Sequence, residues 1–511
     1  MALTTRQRRS SPMDLHSTSS PSPYSKLDKP ESSSSGDGDR GLGWFLPLVS
    51  LGMLRYMSAS SNIIHDCDEV FNYWEPLHFL LYKSGFQTWE YSSEFALRSY
   101  LYILFHNIVG WPASWWFGEE KVRVFYAVRI FLGVLSVIAD AALVVAISRK
   151  YGKRLASYTL AMLCLASGCF FASTSFLPSS FSMYAMSLSS ALFLFEKPAA
   201  AVGVAATGVI LGWPFSILAF LPVTIFSLVR RFKRAFLSGV VTSVTLVALS
   251  VIVDYFYYGK WTSSVLNLLI YNVLGGRVIC MPHKEERFLY PIYPLICVAA
   301  SAVIESFPDL FRDKYNPNGS SLLVVIAKAL RPLVLGIILC ASHSRTFSLI
   351  NGYSAPLEIY KHLEHHDDAG EGSVLCVGSE WHRYPSSFLV PEFMGEVRWI
   401  DDGFQVLLPF PFNATLGGTS AAPSYFNNKN QASDQQYFQD LDKCTFLVEL
   451  QLQRPYLSRG TDLKTWEVLA ALPYLDRELS PPKYRSFFIP YLWQQKNVFG
   501  LYKLLRRIPN S

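Results

Sequence analysis

Residues 42–78 read LGWFLPLVSLGMLRYMSASSNIIHDCDEVFNYWEPLH. An apolar run at about 42–60, of a length suited to a bilayer, is followed within a few residues by Asp66, Asp68 and Glu69. A membrane span that opens directly onto an acidic, aromatic loop sets the fold class. The rest of the chain is of the same kind. Half of its 511 residues are hydrophobic and only 16% are charged, against ~25% in ordinary soluble domains. The apolar residues are clumped into runs, as spans require. The chain therefore reads as a polytopic α-helical membrane protein. Its net charge of +6 is small for this length, and no basic stripe with interleaved aromatics suggests a nucleic-acid partner.

Apolar runs place spans at about 42–60, 122–147, 155–173, 183–196, 199–213, 214–229, 236–257, 288–305 and 321–342. The basic clusters RQRR (6–9), RKYGKR (149–154), RRFKR (230–234) and RDK (312–314) then fall on one side, the cytosolic one by the positive-inside rule. This holds if the aromatic-rich 99–117 lies at the interface instead of crossing. Residues 1–41, rich in Ser, Pro and charge, read as a disordered cytosolic tail. Residues 42–342 read as the transmembrane domain, with a first non-cytosolic loop at 61–95. Residues 343–511 read as a C-terminal domain on that same non-cytosolic side. Short buried strands at 373–378, 404–410 and 444–450 predict a mixed α/β fold there.

Eight cysteines show no CxxC spacing, so neither a zinc site nor a disulfide framework is implied. A single bridge between Cys376 and Cys444 would fit the tail. Asn413-Ala414-Thr415 is a glycosylation sequon on the non-cytosolic side, whereas Asn318-Gly319-Ser320 falls in the cytosol. Asp140 and Asp254 are the main ionisable residues at mid-depth. So few weigh against an ion-coupled transporter.

Two polar clusters carry the chemistry. Solvation or helix capping would account for the carboxylates at 66–69. Their neighbours Phe71, Tyr73, Trp74, Trp89 and Tyr91 nevertheless imply a partly dry setting, where crowded carboxylates gain proton affinity suited to a general base. The second cluster, PHKEERFLYPIYPL (282–295), places His283, Lys284, Glu285, Glu286 and Arg287 just before a span. It reads either as a charge patch anchoring the helix or as a holder for an anionic head group, with Arg gripping phosphate in two prongs. Together the clusters suggest one site, with carboxylates from one loop and cations from another.

The stretches DCDEVFNYWEPLHFLLYKSGFQTWEYSSEFALRSYLYILFH (66–106) and HKEERFLYPIYPL (283–295) resemble the signature motifs of the lipid-linked-oligosaccharide α-1,2-mannosyltransferases of glycosyltransferase family 22. LCVGSEWHRYPSSFLVP (375–391) and KCTFLVEL (443–450) add to the likeness, which runs from about residue 42 to the end. The resemblance implies a GT-C-type fold in the endoplasmic-reticulum membrane, a catalytic transmembrane domain and a lumenal C-terminal domain. It implies inverting transfer of mannose from dolichyl phosphate mannose to a dolichyl-pyrophosphate oligosaccharide during protein N-glycosylation, with no cofactor and no metal. By position, Asp68 matches the base, with Glu69 and Asp66 as rivals. His283, Lys284 and Arg287 match the donor-phosphate motif, and Trp74, Glu75 and Arg98 could shape the sugar or acceptor site. A related enzyme acting on glycosylphosphatidylinositol anchors, or a non-catalytic membrane remnant, stands as the alternative.

One stretch departs from the pattern. Family members continue after a Tyr-Asn-Val with a lumenal Gly-Thr-Glu-Pro-Trp-Tyr segment and two membrane helices before the His-Lys-Glu-Glu-Arg-Phe motif. Here Val273 and His283 are joined by LGGRVICMP alone. Loss of two spans keeps both flanks on one side but removes part of the expected donor site. The expectation is a chain that folds poorly or is inactive.

Overall fold

The computed structural model describes residues 41–274, 285–311, 322–363, 372–453 and 458–508. The tail up to Arg40, the basic cluster at 312–314, His283, Lys284 and the Asn318 sequon lie outside the described residues.

The apolar runs form helices α1 (Phe45–Ser61), α2 (Tyr100–Phe117), α3 (Lys121–Tyr151), α4 (Lys153–Leu165), α5 (Pro178–Leu194), α6 (Pro198–Thr207), α7 (Ile217–Tyr258), α8 (Tyr293–Ser306) and α9 (Leu322–Tyr353). Among the described residues, Lys121–Tyr151, Pro214–Tyr258, Glu286–Phe311 and Leu322–Tyr353 are each long and apolar enough to cross a membrane. Three expected spans take a different form. The run at 155–173 breaks at Ala166 into α4 and the short helix Ser167–Ala172. The runs at 214–229 and 236–257 have no loop between them. They meet at a single non-helical residue, Arg231 (φ −147°, ψ 66°), inside the basic cluster.

The mostly buried α3 is the centre of the helical layer, packed against α1, α2, α4 and α5. Arg55 of α1 reaches Asp140 of α3 at 3.1 Å with both side chains buried, and Ser187 of α5 donates to the same carboxylate at 2.7 Å. A buried carboxylate is tolerated only when compensated in this way. Asp254 likewise accepts from Ser99 Oγ and Tyr100 N, each at 2.9 Å, and from Ser264 Oγ at 2.8 Å. Both acids tie helices together.

The C-terminal part carries the sheet. Strands β2 (Ser373–Val377), β3 (Met394–Trp399), β5 (Phe446–Gln451), β6 (Trp466–Leu475) and β7 (Phe499–Arg507) are ordered β3-β2-β5-β7-β6, while β1 (Phe86–Gln87) pairs with β4 (Phe410–Pro411). β2 runs parallel to β3 and β5, and β7 antiparallel to β5 and β6. β5 is buried on both faces, which is why FLVEL reads as a continuous run without alternation. Cys376 and Cys444 form the disulfide, with Cα atoms 5.7 Å apart.

The strand expected at 404–410 is a correction. Only Phe410 joins a ladder, in β4. Leu407 N donates to Asn430 Oδ1 and Leu408 N to Gln436 Oε1, at 3.2 and 2.9 Å. Side chains satisfy the backbone there, so the buried leucines need no strand.

Candidate active site

Asp66 adopts an extended backbone and its Oδ1 accepts the Asp68 N–H at 2.9 Å, capping an unbroken helical run from Cys67 to Tyr82. Residues Val70–Trp74 of that run form a π-turn, a local widening that recurs at functional sites. The run ends at Lys83, whose φ of 60° is left-handed. Gly85 follows with φ +140°, and a Cβ there would lie 2.9 Å from the Glu75 carbonyl oxygen. Only glycine lets the chain turn back so closely.

The two clusters meet. Arg287, in the short 3₁₀ segment Glu286–Ile292, places one terminal nitrogen 2.8 Å from Asp66 Oδ2 and the other 2.7 Å from Asp68 Oδ2. Its Nε lies against the Glu285 carboxylate. Asp66, Cys67 and Asp68 offer ligand atoms within 4.8 Å of one another, a spacing that suits a metal ion. The Arg287 guanidinium contacts both of those carboxylates and supplies the positive charge.

The three acids differ in state. Burial, reinforced by the Asp68 charge, pushes Asp66 up to about 7 despite Arg287. Burial acts on Asp68 in the same direction, but Arg287 and then Arg98 outweigh it and hold its carboxyl below the usual range. Burial raises Glu69. The Asp68 side chain is 37% exposed, against 21% for Asp66. Glu69 is buried and accepts from Trp74 Nε1 at 3.2 Å and Phe176 N at 2.9 Å. Asp68 is thus the carboxylate that is both ionised and reachable, and Glu69 is a bracket behind it. The raised proton affinity expected of the cluster is found at Asp66 and Glu69 and is reversed at Asp68 by the two arginines.

Trp74 and Glu75 are fully buried. Trp74 packs against Phe125 and Phe176, with ring centroids at 4.2 and 4.9 Å. Glu75 accepts from Phe86 N (3.0 Å), Ser386 Oγ (2.8 Å), Ser387 N (2.7 Å) and Ser387 Oγ (2.7 Å), joining the acidic loop to the C-terminal part of the chain. Arg98 forks onto Glu90 at 2.8 and 3.2 Å and donates to Tyr73 Oη at 2.9 Å. Beside it, Tyr73, Arg98, Leu97, Leu211 and Val265 line a cavity of about 50 Å³. Asn413 is exposed in a turn, where its Oδ1 accepts from Thr415 Oγ1 at 2.8 Å.

Two contributors were not read from the sequence. Arg129 of α3 is buried near Glu69, its guanidinium 5.1 Å from the Phe125 ring centroid, with no hydrogen-bond partner among the described residues. Its signal was a lone Arg inside an apolar span. The Ser386–Ser387 clamp left no signal, because serines in a loop are commonplace.

A family model described as the Alg9-like mannosyltransferase family matches residues 46–278 and 278–391. The α-1,2-mannosyltransferase ALG9 of Arabidopsis thaliana is 66% identical to the chain, covering 99% of each. That alignment spans 566 positions against 511 residues here, so at least 55 have no counterpart in this chain. The ALG9 enzyme of Mus musculus is 31% identical over 88% of this chain and 87% of its own. The one of Saccharomyces cerevisiae is 27% identical over 85% and 90%.

Proposed function

The chain belongs to the Alg9-like mannosyltransferase family, and from that premise we propose that it is built to transfer mannose in α-1,2 linkage from dolichyl phosphate mannose to a dolichyl-pyrophosphate oligosaccharide. The setting is the lumenal face of the endoplasmic-reticulum membrane, in N-glycan precursor assembly, on a GT-C-type fold. The N-terminus is cytosolic, and the C-terminal domain is lumenal and glycosylated at Asn413. The observation that carries this reading is the meeting of Arg287 with Asp66 and Asp68, which joins two motifs more than 200 positions apart at one end of the helices.

Chemically, Asp68 removes the proton from the acceptor mannose 2-hydroxyl as its oxygen attacks C1 of the donor mannose. Attack comes from the face opposite the phosphate, and the C1–O bond to phosphate breaks with inversion. This is the two-sided logic of inverting glycosidases, with a sugar hydroxyl in place of water. Dolichyl phosphate departs already charged and needs cationic stabilisation more than a proton. Arg287 supplies part of that charge, and His283 and Lys284 supply the rest, so no metal or cofactor is required. Trp74 and Glu75 act from behind the surface by fixing the loop, and Arg98 fixes Tyr73 beside the small apolar-walled cavity.

The division of the family match at residue 278 and the unmatched alignment positions support a missing segment between Val273 and His283. We infer that it is the helix pair that completes the donor site, and that the chain as it stands transfers little or no mannose. Mannose transfer to a truncated lipid-linked oligosaccharide by reconstituted protein tests the reading. Transfer that appears when the segment is supplied supports it. A segment-bearing chain with no activity refutes it.

A further inference from the structure

A cavity of about 230 Å³ lies away from the Asp68–Arg287 site, between the end of the acidic-loop helix, the start of α3 and the C-terminal domain. Its walls include Phe86, Lys121 and five consecutive residues of β3, Met394 to Arg398. Alternate residues of a strand face opposite ways, so five in succession mean that the cavity follows the strand's edge and not one of its faces. β3 is an edge strand, paired with β2 alone among the described residues. Its outer edge offers alternating backbone donors and acceptors. Glu396 and Arg398 project on the same side, with Arg398 Nε 2.8 Å from Glu396 Oε2, and both are partly exposed.

We propose that this cavity is a subsite for an arm of the mannose-rich acceptor oligosaccharide, remote from the hydroxyl that reacts. The inference rests on the mannosyltransferase reading for the identity of the ligand. A hexose ring has an apolar C–H face and a rim of neighbouring hydroxyls. Phe86, Val390 and Met394 supply apolar wall, while the edge backbone and the Glu396–Arg398 pair supply donors and acceptors in close register. The cavity is poorly suited to a pyrophosphate, because Glu392 acts electrostatically on Lys121 and Glu396 neutralises Arg398. It is also poorly suited to a β-strand from another protein, since charges along an edge oppose strand addition. The position fits an extended glycan. Asp68 and His78, the latter in the cavity wall, lie on one helical run, so at ~1.5 Å per residue the two sites are about 15 Å apart.

Binding is measured directly, without need of turnover, by saturation-transfer NMR or calorimetry on the purified full chain. The probes are a free high-mannose oligosaccharide lacking lipid and pyrophosphate and, separately, inorganic pyrophosphate. The oligosaccharide is expected to bind, with Arg398→Ala and Glu396→Gln each weakening it about tenfold or more. Circular dichroism confirms that the variants fold. Absence of oligosaccharide binding, equal binding by the rim variants, or competition by pyrophosphate overturns the proposal. The two readings fail separately. If the segment-bearing chain transfers mannose with an unchanged acceptor KM in Arg398→Ala, this subsite is wrong and the enzyme assignment stands. If the oligosaccharide binds as expected but no chain transfers mannose, the enzyme assignment is wrong.

Discussion

Asp66 and Asp68 stand two residues apart and share one arginine, yet the environment separates them. Asp68 is kept ionised by Arg287 and Arg98 and remains reachable, whereas burial keeps the proton on Asp66 up to about pH 7. In a chain carrying the family segment, Asp68→Asn is expected to lower kcat roughly 10²–10⁴-fold, the usual contribution of a general base. Glu69→Ala should act mainly by lowering the melting temperature, since it leaves the Trp74 Nε1–H and the Phe176 N–H without their buried acceptor. Asp66 also makes stability depend on pH. The folded state holds its proton more tightly than the unfolded chain does, so stability is lost as pH rises from about 4 towards about 7. Asp66→Asn should flatten that part of a melting-temperature profile recorded in detergent. An unchanged slope would mean that burial does not retain the proton. At this scale the sequence disclosed which residues cluster, because acids and aromatics are crowded together within 66–75. It could not disclose that Glu69 and Glu75 turn inward while Asp68 stays open. That depends on the π-turn and on partners as distant as Ser387.

Two links between elements can be tested by stability. Glu75 joins the acidic helix to the loop at 386–387 through three hydrogen bonds and to Phe86 through a fourth. Glu75→Ala orphans several buried donors at once and is expected to cost about 2–5 kcal/mol. Limited proteolysis should then cut near 386 at lower temperature than in wild type. The Cys376–Cys444 bridge closes a separation of 68 residues, and Cys376→Ser with Cys444→Ser should lose roughly 2–5 kcal/mol, read from denaturant unfolding of the full chain. Long apolar helices were legible because they repeat one signal over many turns. The failures came where that signal is cut short or met by other means. Arg231 breaks a helix without a loop, and side chains of Asn430 and Gln436 satisfy the backbone at 407–408. The strands β3, β6 and β7 were missed because their burial is mixed, unlike the uniform run of β5.

Across the whole molecule, a helical layer centred on α3 supports a surface where two motifs distant in the chain converge, and the loop at 386–387 braces that surface through Glu75. The departure at 273–283 was also legible, because LGGRVICMP is too short to hold two spans, and the break in the family match falls at the same place. The most direct measurement is mannose transfer in proteoliposomes containing dolichyl phosphate mannose and a truncated lipid-linked oligosaccharide. Three proteins are compared: the chain as it stands, the chain with the relative's segment inserted between Val273 and His283, and that longer chain carrying Asp68→Asn. Transfer by the longer chain alone, lost in the variant, is the predicted result. Silence from the longer chain, or transfer undiminished by Asp68→Asn, would contradict it.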